Sequence, residues 1–409
     1  MNDKVYIIVT YNVCNQGGAQ LYVLRRAKYL KQRGYEVRII VSFDNGNFIL
    51  KDAFSGLSIY YYPELSKRPL YYSHNEVDKI TNKIISDLNV PGTNVYIESH
   101  TLLLGLWAEE MAFRLSAKHV IYCLSELPSI RKARFFYSRN FFEKKYKTGE
   151  FYGCSSYSIE KIFGKRFPFN NYVNIGFDER ELVEISLPKL NVEIKEKEFV
   201  LLTVTRLDKT YVEPLIRATC QLAEKYPQQK FRLIIAGGSK TKGREAYLFN
   251  NFSKEKIRMP NLEVNFTGYI NTLGKDIFRL ADVFVGMGTA SINAISQRCL
   301  TLNIDPLAND SCPGFFGMDT TNFAYPDSGK HYTILEKLEQ AYNMTSEERE
   351  SYINKGRILF EHSYQLESCF EELDKTFDSM DVVKVGPSYS SLLHYILRIL
   401  KRIHLILHR

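Results

Sequence analysis

The chain has 409 residues, 45% of them hydrophobic and 24% charged, an ordinary globular balance with length enough for two domains. Lys and Arg number 54 against 46 Asp and Glu, a net charge of +8. The seven cysteines are widely spaced with no C-x-x-C, which argues against a disulfide framework and against a zinc site and favours a reducing, cytosolic compartment. No signal peptide precedes the first strand, and no apolar run reaches the roughly 20 residues that span a bilayer.

Residues 5–10 form a short apolar run, as in a strand buried on both faces. The loop YNVCNQGG follows, and residues 19–33 carry a helical pattern with Leu21, Val23, Leu24, Ala27 and Leu30 on one side. The next strand, 37–43, ends at the turn signal Asp44-Asn45-Gly46. Further strands are predicted at 57–63, 94–100, 119–125, 151–156 and 171–178, with helices at 75–88 and 104–116. Residues 181–196 are charged and irregular and read as a linker.

The alternation then restarts. Strands at 199–207, 231–238, 262–269, 281–288 and 300–305 alternate with helices at 212–225, 272–280 and 291–299. Thr345 and Glu348 have capping-box spacing, so a helix is expected to start there. Another helix covers 363–379, and Gly386-Pro387 breaks the chain before the tail. The class is α/β, with two Rossmann-like domains at 1–180 and 197–362, a closing helical segment at 363–384 and a basic tail at 385–409.

In an open parallel sheet, ligands bind beyond the carboxyl ends of the strands. Gly17 and Gly18 sit where a strand gives way to a helix. Free amides and the positive helix end suit a phosphate there, although a tight strand-to-helix turn accounts for them equally well. This loop is not G-x-G-x-x-G, so the dinucleotide fingerprint is not met. Arg206 and Lys209 in TRLDK follow the first strand of the second half and could neutralise a diphosphate, or form a solvated ion pair on a loop. Gly288, Thr289 and Ser291 in GMGTAS make a second strand-to-helix cradle, which ordinary N-capping also explains. His100 ends the strand NVYIESH beside Glu98, and Glu126 in CLSELP follows the next strand on the same rim.

The order and spacing of these motifs resemble the GT-B fold glycosyltransferases of family 4, over residues 3–380. GGAQLYV is similar to the family's G-G-A-E opening, NYVNIGFD to its N-G-hydrophobic-D stretch, and TRLDK to G-R-L-x-x-K. LIIAGGS, VNFTGYI and ADVFVGMG follow in family order, and FEHSYQLESCFEELDKTF resembles the closing helices, the last of which often crosses back to the first domain. The resemblance implies two Rossmann-like domains facing an interdomain cleft and transfer of a sugar from a nucleotide-sugar donor, with retention of configuration. It implies that Gly17 and Gly18 lie near donor phosphates and acceptor, that Arg206 and Lys209 hold the diphosphate, and that Gly238, Gly288 and Thr289 line the donor site. It makes His100 a contact to the acceptor or donor sugar, although a lone strand-end histidine is more often structural, and Glu126 is a rival acid by its strand-end position alone. It also implies no cofactor and no metal, and no Asp-x-Asp is present.

The chain departs from the family at the E-x7-E motif. NAISQRCLTL places Asn293 at the second glutamate, which binds the ribose hydroxyls, with Arg298 at the usual glycine and Leu300 at the proline. By count Val285 falls at the first glutamate. An amide can still bond a diol, but without charge assistance the bond is about half as strong.

The tail, SSLLHYILRILKRIHLILHR, has the pattern of a basic amphipathic helix. His394, Arg398, Lys401, Arg402, His408 and Arg409 share one arc, with leucines and isoleucines opposite. Residues 388–409 therefore read as a contact to an anionic membrane surface, with docking against the enzyme itself or a second subunit as the alternative. Nucleic acid is disfavoured because no stacking aromatics are interleaved. Together, tail and resemblance suggest a peripheral protein on the inner face of the cell membrane, acting on a lipid-linked oligosaccharide in capsule, exopolysaccharide or lipopolysaccharide synthesis. A non-catalytic GT-B protein remains an alternative, and so does an oxidoreductase using Asp44, disfavoured by the missing fingerprint.

Overall fold

Val5–Thr10 (β1) is buried along its whole length, as an apolar strand covered on both faces must be. It leads through a loop into Gly18–Gln32 (α1) and then Glu36–Val41 (β2), which pairs parallel with β1. Next come Ser58–Tyr61 (β3), His74–Leu88 (α2), Val95–Ser99 (β4), Leu102–Leu115 (α3) and Lys118–Cys123 (β5). Phe136–Lys147 (α4), Phe151–Gly153 (β6) and Ser156–Phe163 (α5) complete this part. The strands form one parallel sheet in the order β3-β2-β1-β4-β5-β6. α3 is almost wholly buried against it. Trp107 is completely covered and donates its indole N–H to the Lys67 carbonyl at 2.7 Å, which satisfies its one polar atom.

The computed structural model describes residues 4–14, 18–44, 52–90, 94–124, 136–164, 170–181, 197–239, 243–256, 259–268, 274–305, 310–323 and 330–386. Most of the expected linker, residues 182–196, and the basic tail from 387 onward lie outside them, as do Gly17 and Glu126.

The second sheet is built from Glu198–Val204 (β7), Lys230–Ala236 (β8), Leu262–Gly268 (β9), Val283–Gly286 (β10), Thr301–Asn303 (β11) and Gly314–Phe315 (β13), in the order β13-β11-β10-β7-β8-β9. All pairs are parallel except β11 with β13. Its helices are Val212–Lys225 (α6), Arg244–Lys256 (α7), Lys275–Arg279 (α8), Thr289–Ser296 (α9), Ile334–Asn343 (α10) and Ser346–Ser363 (α11), and Ser311–Cys312 (β12) pairs with Tyr332–Thr333 (β14) apart from the main sheet. Among the described residues four helices begin with reciprocal capping boxes, Ser73 with Glu76, Ser155 with Ser158, Thr333 with Glu336, and Thr345 with Glu348. Each box satisfies two otherwise orphaned backbone donors.

The chain divides into two compact units, Met1–Ile175 with Cys369–Arg409, and Gly176–Ser368. The last described helix, Leu366–Ser379 (α12), therefore ends in the first unit. There Phe370 packs on the rings of Tyr22 and Tyr29, and Phe377 packs on Tyr6 and Tyr96. Lys118 Nζ donates to the Phe377 carbonyl at 2.6 Å, and the Val383 amide to the Ala117 carbonyl at 2.9 Å.

One expected strand is absent. Residues 171–178 make only two isolated bridges, Tyr172 to Gly153 and Phe177 to Gln365. The apolar alternation of Tyr172, Val173, Ile175 and Phe177 imitates a strand, but its two ends pair in different units. The seven cysteines are buried thiols without a disulfide. Among the described residues no helix is long and apolar enough to cross a membrane.

Candidate functional site

Strand order reverses between β7 and β10 in the second unit and between β1 and β4 in the first. At such a switch point the loops leaving neighbouring strands part and open a crevice at the carboxyl edge.

In the second unit Thr205-Arg206 leaves β7 and Gly237-Gly238 leaves β8. The Thr205 amide donates to the Ala236 carbonyl at 2.9 Å, and the Leu207 amide to the Gly238 carbonyl at 3.1 Å. Gly237 has φ +147°, and a Cβ built on it would lie 1.8 Å from the Thr205 carbonyl oxygen. Only glycine permits that approach. Arg244 closes the loop from behind, with Nε 3.3 Å from the Leu207 carbonyl and Nη2 2.7 Å from Glu213. Arg206 is exposed and Lys209 half-buried. Neither side chain has an anionic partner among the described residues.

Beside them, after β10, Gly288 adopts φ +65° and starts α9. Its amide donates to the Phe323 carbonyl at 2.9 Å, so the backbone donor expected from Gly288 is already committed. The amides of Thr289 and Ala290, at the open end of α9, have no protein acceptor among the described residues. They leave the anion-favouring positive end of the helix available. On the same helix the buried Asn293 Oδ1 and the Ser291 hydroxyl have no partner among the described residues. Buried polar atoms are nearly always bonded, so orphans in a strand-end crevice point to a ligand. Asp305, just beyond β11 and buried, is an acid at this edge that the motif comparison did not single out.

In the first unit Gly18 opens α1, whose Gln20 amide reaches the Asn12 side-chain oxygen at 3.0 Å. His100 follows β4 and is 2% exposed. Its Nε2 lies 2.8 Å from Glu98 Oε1, and its buried Nδ1 has no partner among the described residues. Glu98 is fully buried and collects further donors from Tyr22 at 2.8 Å, Tyr6 at 2.6 Å and Arg26 Nε at 3.0 Å. Burial by itself would raise this carboxyl. The Arg26 charge, with the His100 and Tyr6 bonds, outweighs it and holds Glu98 down at about 2. Arg26 is itself buried among the rings of Tyr6, Tyr29 and Phe370 and pairs with Asp374 on α12 at 2.5 Å. The helical pattern of α1 placed Leu24 and Leu30 in the core, with Leu21 only half-buried, but gave no sign that Arg26 faces inward. The signal lay in distant acids, Glu98 and Asp374.

Two more features were missed. Tyr11 and Phe43, beyond β1 and β2, stack in parallel with centroids 5.4 Å apart and remain 47% and 37% exposed. The Ser99 hydroxyl meets His119 Nε2 at 3.0 Å, and His119 Nδ1 meets Glu109 at 2.6 Å. The sequence of groups is that of a nucleophilic triad, but Ser99 is wholly buried and Glu109 is tied to Lys145 at 2.7 Å. The chain is structural. Among the described residues no group of three or more His, Cys, Asp or Glu side chains is placed to hold a metal ion.

No family model matches the chain, and no curated protein matches it in sequence. Solved structures match it closely in fold. HepE of Anabaena in complex with UDP aligns with a TM-score of 0.63 at 14% identity, over 92% of this chain and 100% of that one. A glycosyltransferase from Rickettsia africae aligns at 0.64 and 14%, over 92% and 98%. The trehalose-6-phosphate synthase OtsA aligns at 0.59 and 13%, over 92% and 99%. The fold is that of the GT-B glycosyltransferases: two parallel-sheet α/β units in one chain.

Proposed function

We propose that the chain is a glycosyltransferase that moves a sugar from a nucleotide-sugar donor to a saccharide acceptor. The observation that carries this reading is the carboxyl edge of the second unit. Arg206 and Lys209 stand there without a described counter-ion, beside the open amides of Thr289 and Ala290 and the orphaned oxygen of Asn293. Two cations and a helix N-terminus neutralise a diphosphate and stabilise it as negative charge develops on departure. These groups supply the stabilisation that a divalent metal gives in other transferases. Asn293 would bond the ribose diol, with Gly238 shaping the floor. Anabaena HepE, which shares the fold, has also been solved with UDP-glucose, which supports a nucleotide sugar as donor.

The first unit would serve the acceptor. Gly18 and His100 stand at its switch point, and Gly17 and Glu126 lie outside the described residues. The stacked Tyr11 and Phe43 offer an apolar platform suited to a sugar ring. We assign the acceptor to lipid-linked oligosaccharide in cell-surface polysaccharide synthesis, the tail at 388–409 holding the protein on the inner membrane face, and the reaction to the retaining class. A sugar-binding GT-B protein without turnover is the second reading. Its support is Asn293 in the ribose position and the Gly288 amide already spent on Phe323.

The test is release of nucleoside diphosphate from a panel of UDP- and GDP-sugars, with membrane extract as acceptor source, for wild type, Arg206→Ala and Asn293→Glu. Turnover of one donor, reduced about a hundredfold or more in Arg206→Ala, is expected, since Arg206 acts on the charge that develops in the transition state. Absence of turnover in wild type together with turnover in Asn293→Glu would favour the second reading.

A further inference from the structure

At the first unit's switch point a buried polar cluster gathers on Glu98. Glu98 has two carboxylate oxygens and four donors. Oε1 faces the Tyr22 hydroxyl at 2.8 Å and His100 Nε2 at 2.8 Å, and Oε2 faces the Tyr6 hydroxyl at 2.6 Å and Arg26 Nε at 3.0 Å. An ionised carboxylate only accepts hydrogen bonds. Nε2 of His100 must therefore carry a proton, because a lone pair at that distance would meet another lone pair.

We propose that Glu98 is a positioning residue for the transfer, fixing the proton of His100 on Nε2 so that Nδ1 is a bare acceptor for a substrate sugar hydroxyl, directly or through one water. Nδ1 is buried and has no partner among the described residues. An acceptor left in that state is unfavourable unless something fills it at work. The other groups around the pair cannot take the role. Tyr22 from α1 meets the His100 ring edge-on at 5.3 Å, with its hydroxyl committed to Glu98. Tyr122 from β5 packs on Tyr22 and gives its hydroxyl to the Val173 carbonyl at 2.7 Å. Arg26 is shared with Asp374 of α12, so the charge that orients His100 is held in place from three elements, α1, β4 and α12. Ring orientation through a carboxylate is the way an acid fixes the tautomer of a histidine that acts on substrate.

The proposal rests on the transferase reading for its sugar hydroxyl, but the tautomer does not, so the two can fail separately. The experiment is nitrogen-15 NMR on full-length protein labelled at histidine. Without ligand, His100 is expected to show a protonated Nε2 and a pyridine-like Nδ1. Oligosaccharide released from the membrane extract that serves as acceptor is expected to shift Nδ1 and leave Nε2 in place. Glu98→Gln is expected to mix the tautomers and to lower kcat by about tenfold to a hundredfold, with the donor KM within about twofold. If Glu98→Gln does not fold, Tyr22→Phe removes one donor from the same oxygen and leaves His100 bonded to Glu98, and a smaller loss in kcat with the same tautomer is expected. An Nδ1–H tautomer in wild type would overturn the proposal. So would a folded Glu98→Gln with unchanged kcat, or a kcat unaltered in Tyr22→Phe where Glu98→Gln cannot be tested.

Discussion

Replacing Gly237 by alanine tests whether the loop carrying Arg206 is held by backbone packing. The new Cβ would lie 1.8 Å from the Thr205 carbonyl oxygen and 2.8 Å from its carbon, at φ +147°. Both contacts are to backbone, so no side-chain rotation relieves them. The φ penalty is about 1–2 kcal/mol, and the overpacking about 1–3 kcal/mol. For a unit spanning Gly176–Ser368, a combined loss of at least about 2 kcal/mol lowers the melting temperature by about 4 °C or more. Thr205 adjoins Arg206, so relief of the clash must displace the cation, and nucleotide affinity should fall further than the destabilisation explains. Gly56→Ala is the control. Its φ is +76°, but nothing lies within 4 Å of the added atom. It should lose about 1 kcal/mol from backbone strain alone and leave nucleotide binding intact. Scanning calorimetry and a nucleotide titration on both variants decide the matter. If Gly237→Ala melts within about 2 °C of wild type and binds nucleotide normally, the packing account of this loop is wrong.

Other predictions follow from the buried charges and caps. Arg26→Met leaves Glu98 buried and unpaired, so denaturant unfolding should show a loss of about 3–5 kcal/mol, partly recovered by adding Glu98→Gln; a loss below about 1 kcal/mol would contradict the pairing. Glu98 titrates near 4.5 when unfolded and about 2 when folded. Its contribution, about 3 kcal/mol, is complete above pH 4.5 and is lost as the pH falls toward 2, and Glu98→Gln should flatten that acid limb. Thr345→Ala removes the side-chain cap of α11 and should destabilise by about 1 kcal/mol without changing turnover.

Much of this architecture could be read from local pattern. The strands of both sheets are short apolar runs, and their alternation with helices set the two α/β halves. The Thr345 box marks the start of α11, and the same spacing at Thr333-Ile334-Leu335-Glu336 marks that of α10. α4 and α7 are largely polar and show weak amphipathic pattern, and β12, β13 and β14 have two residues each, too few to show a period. At the site, position was legible and partnership was not. Arg206, Lys209, Gly288 and His100 stand at strand ends, as the motif order implied. That Gly288 has no amide to spare, or that His100 is gripped by a carboxylate shared with Tyr6, Tyr22 and Arg26, depends on residues brought together only by the sheet.

The central claim is that Arg206 and the groups around it hold a nucleoside diphosphate. Calorimetric titration of UDP and GDP into wild type and Arg206→Ala tests it most directly. Arg206 is exposed and has no described partner, so its loss should leave the melting temperature unchanged. The account predicts saturable binding of one nucleotide to wild type, weakened at least about tenfold in the variant by loss of a charge-assisted contact. Failure of wild type to bind either nucleotide, or equal binding by Arg206→Ala, would contradict it.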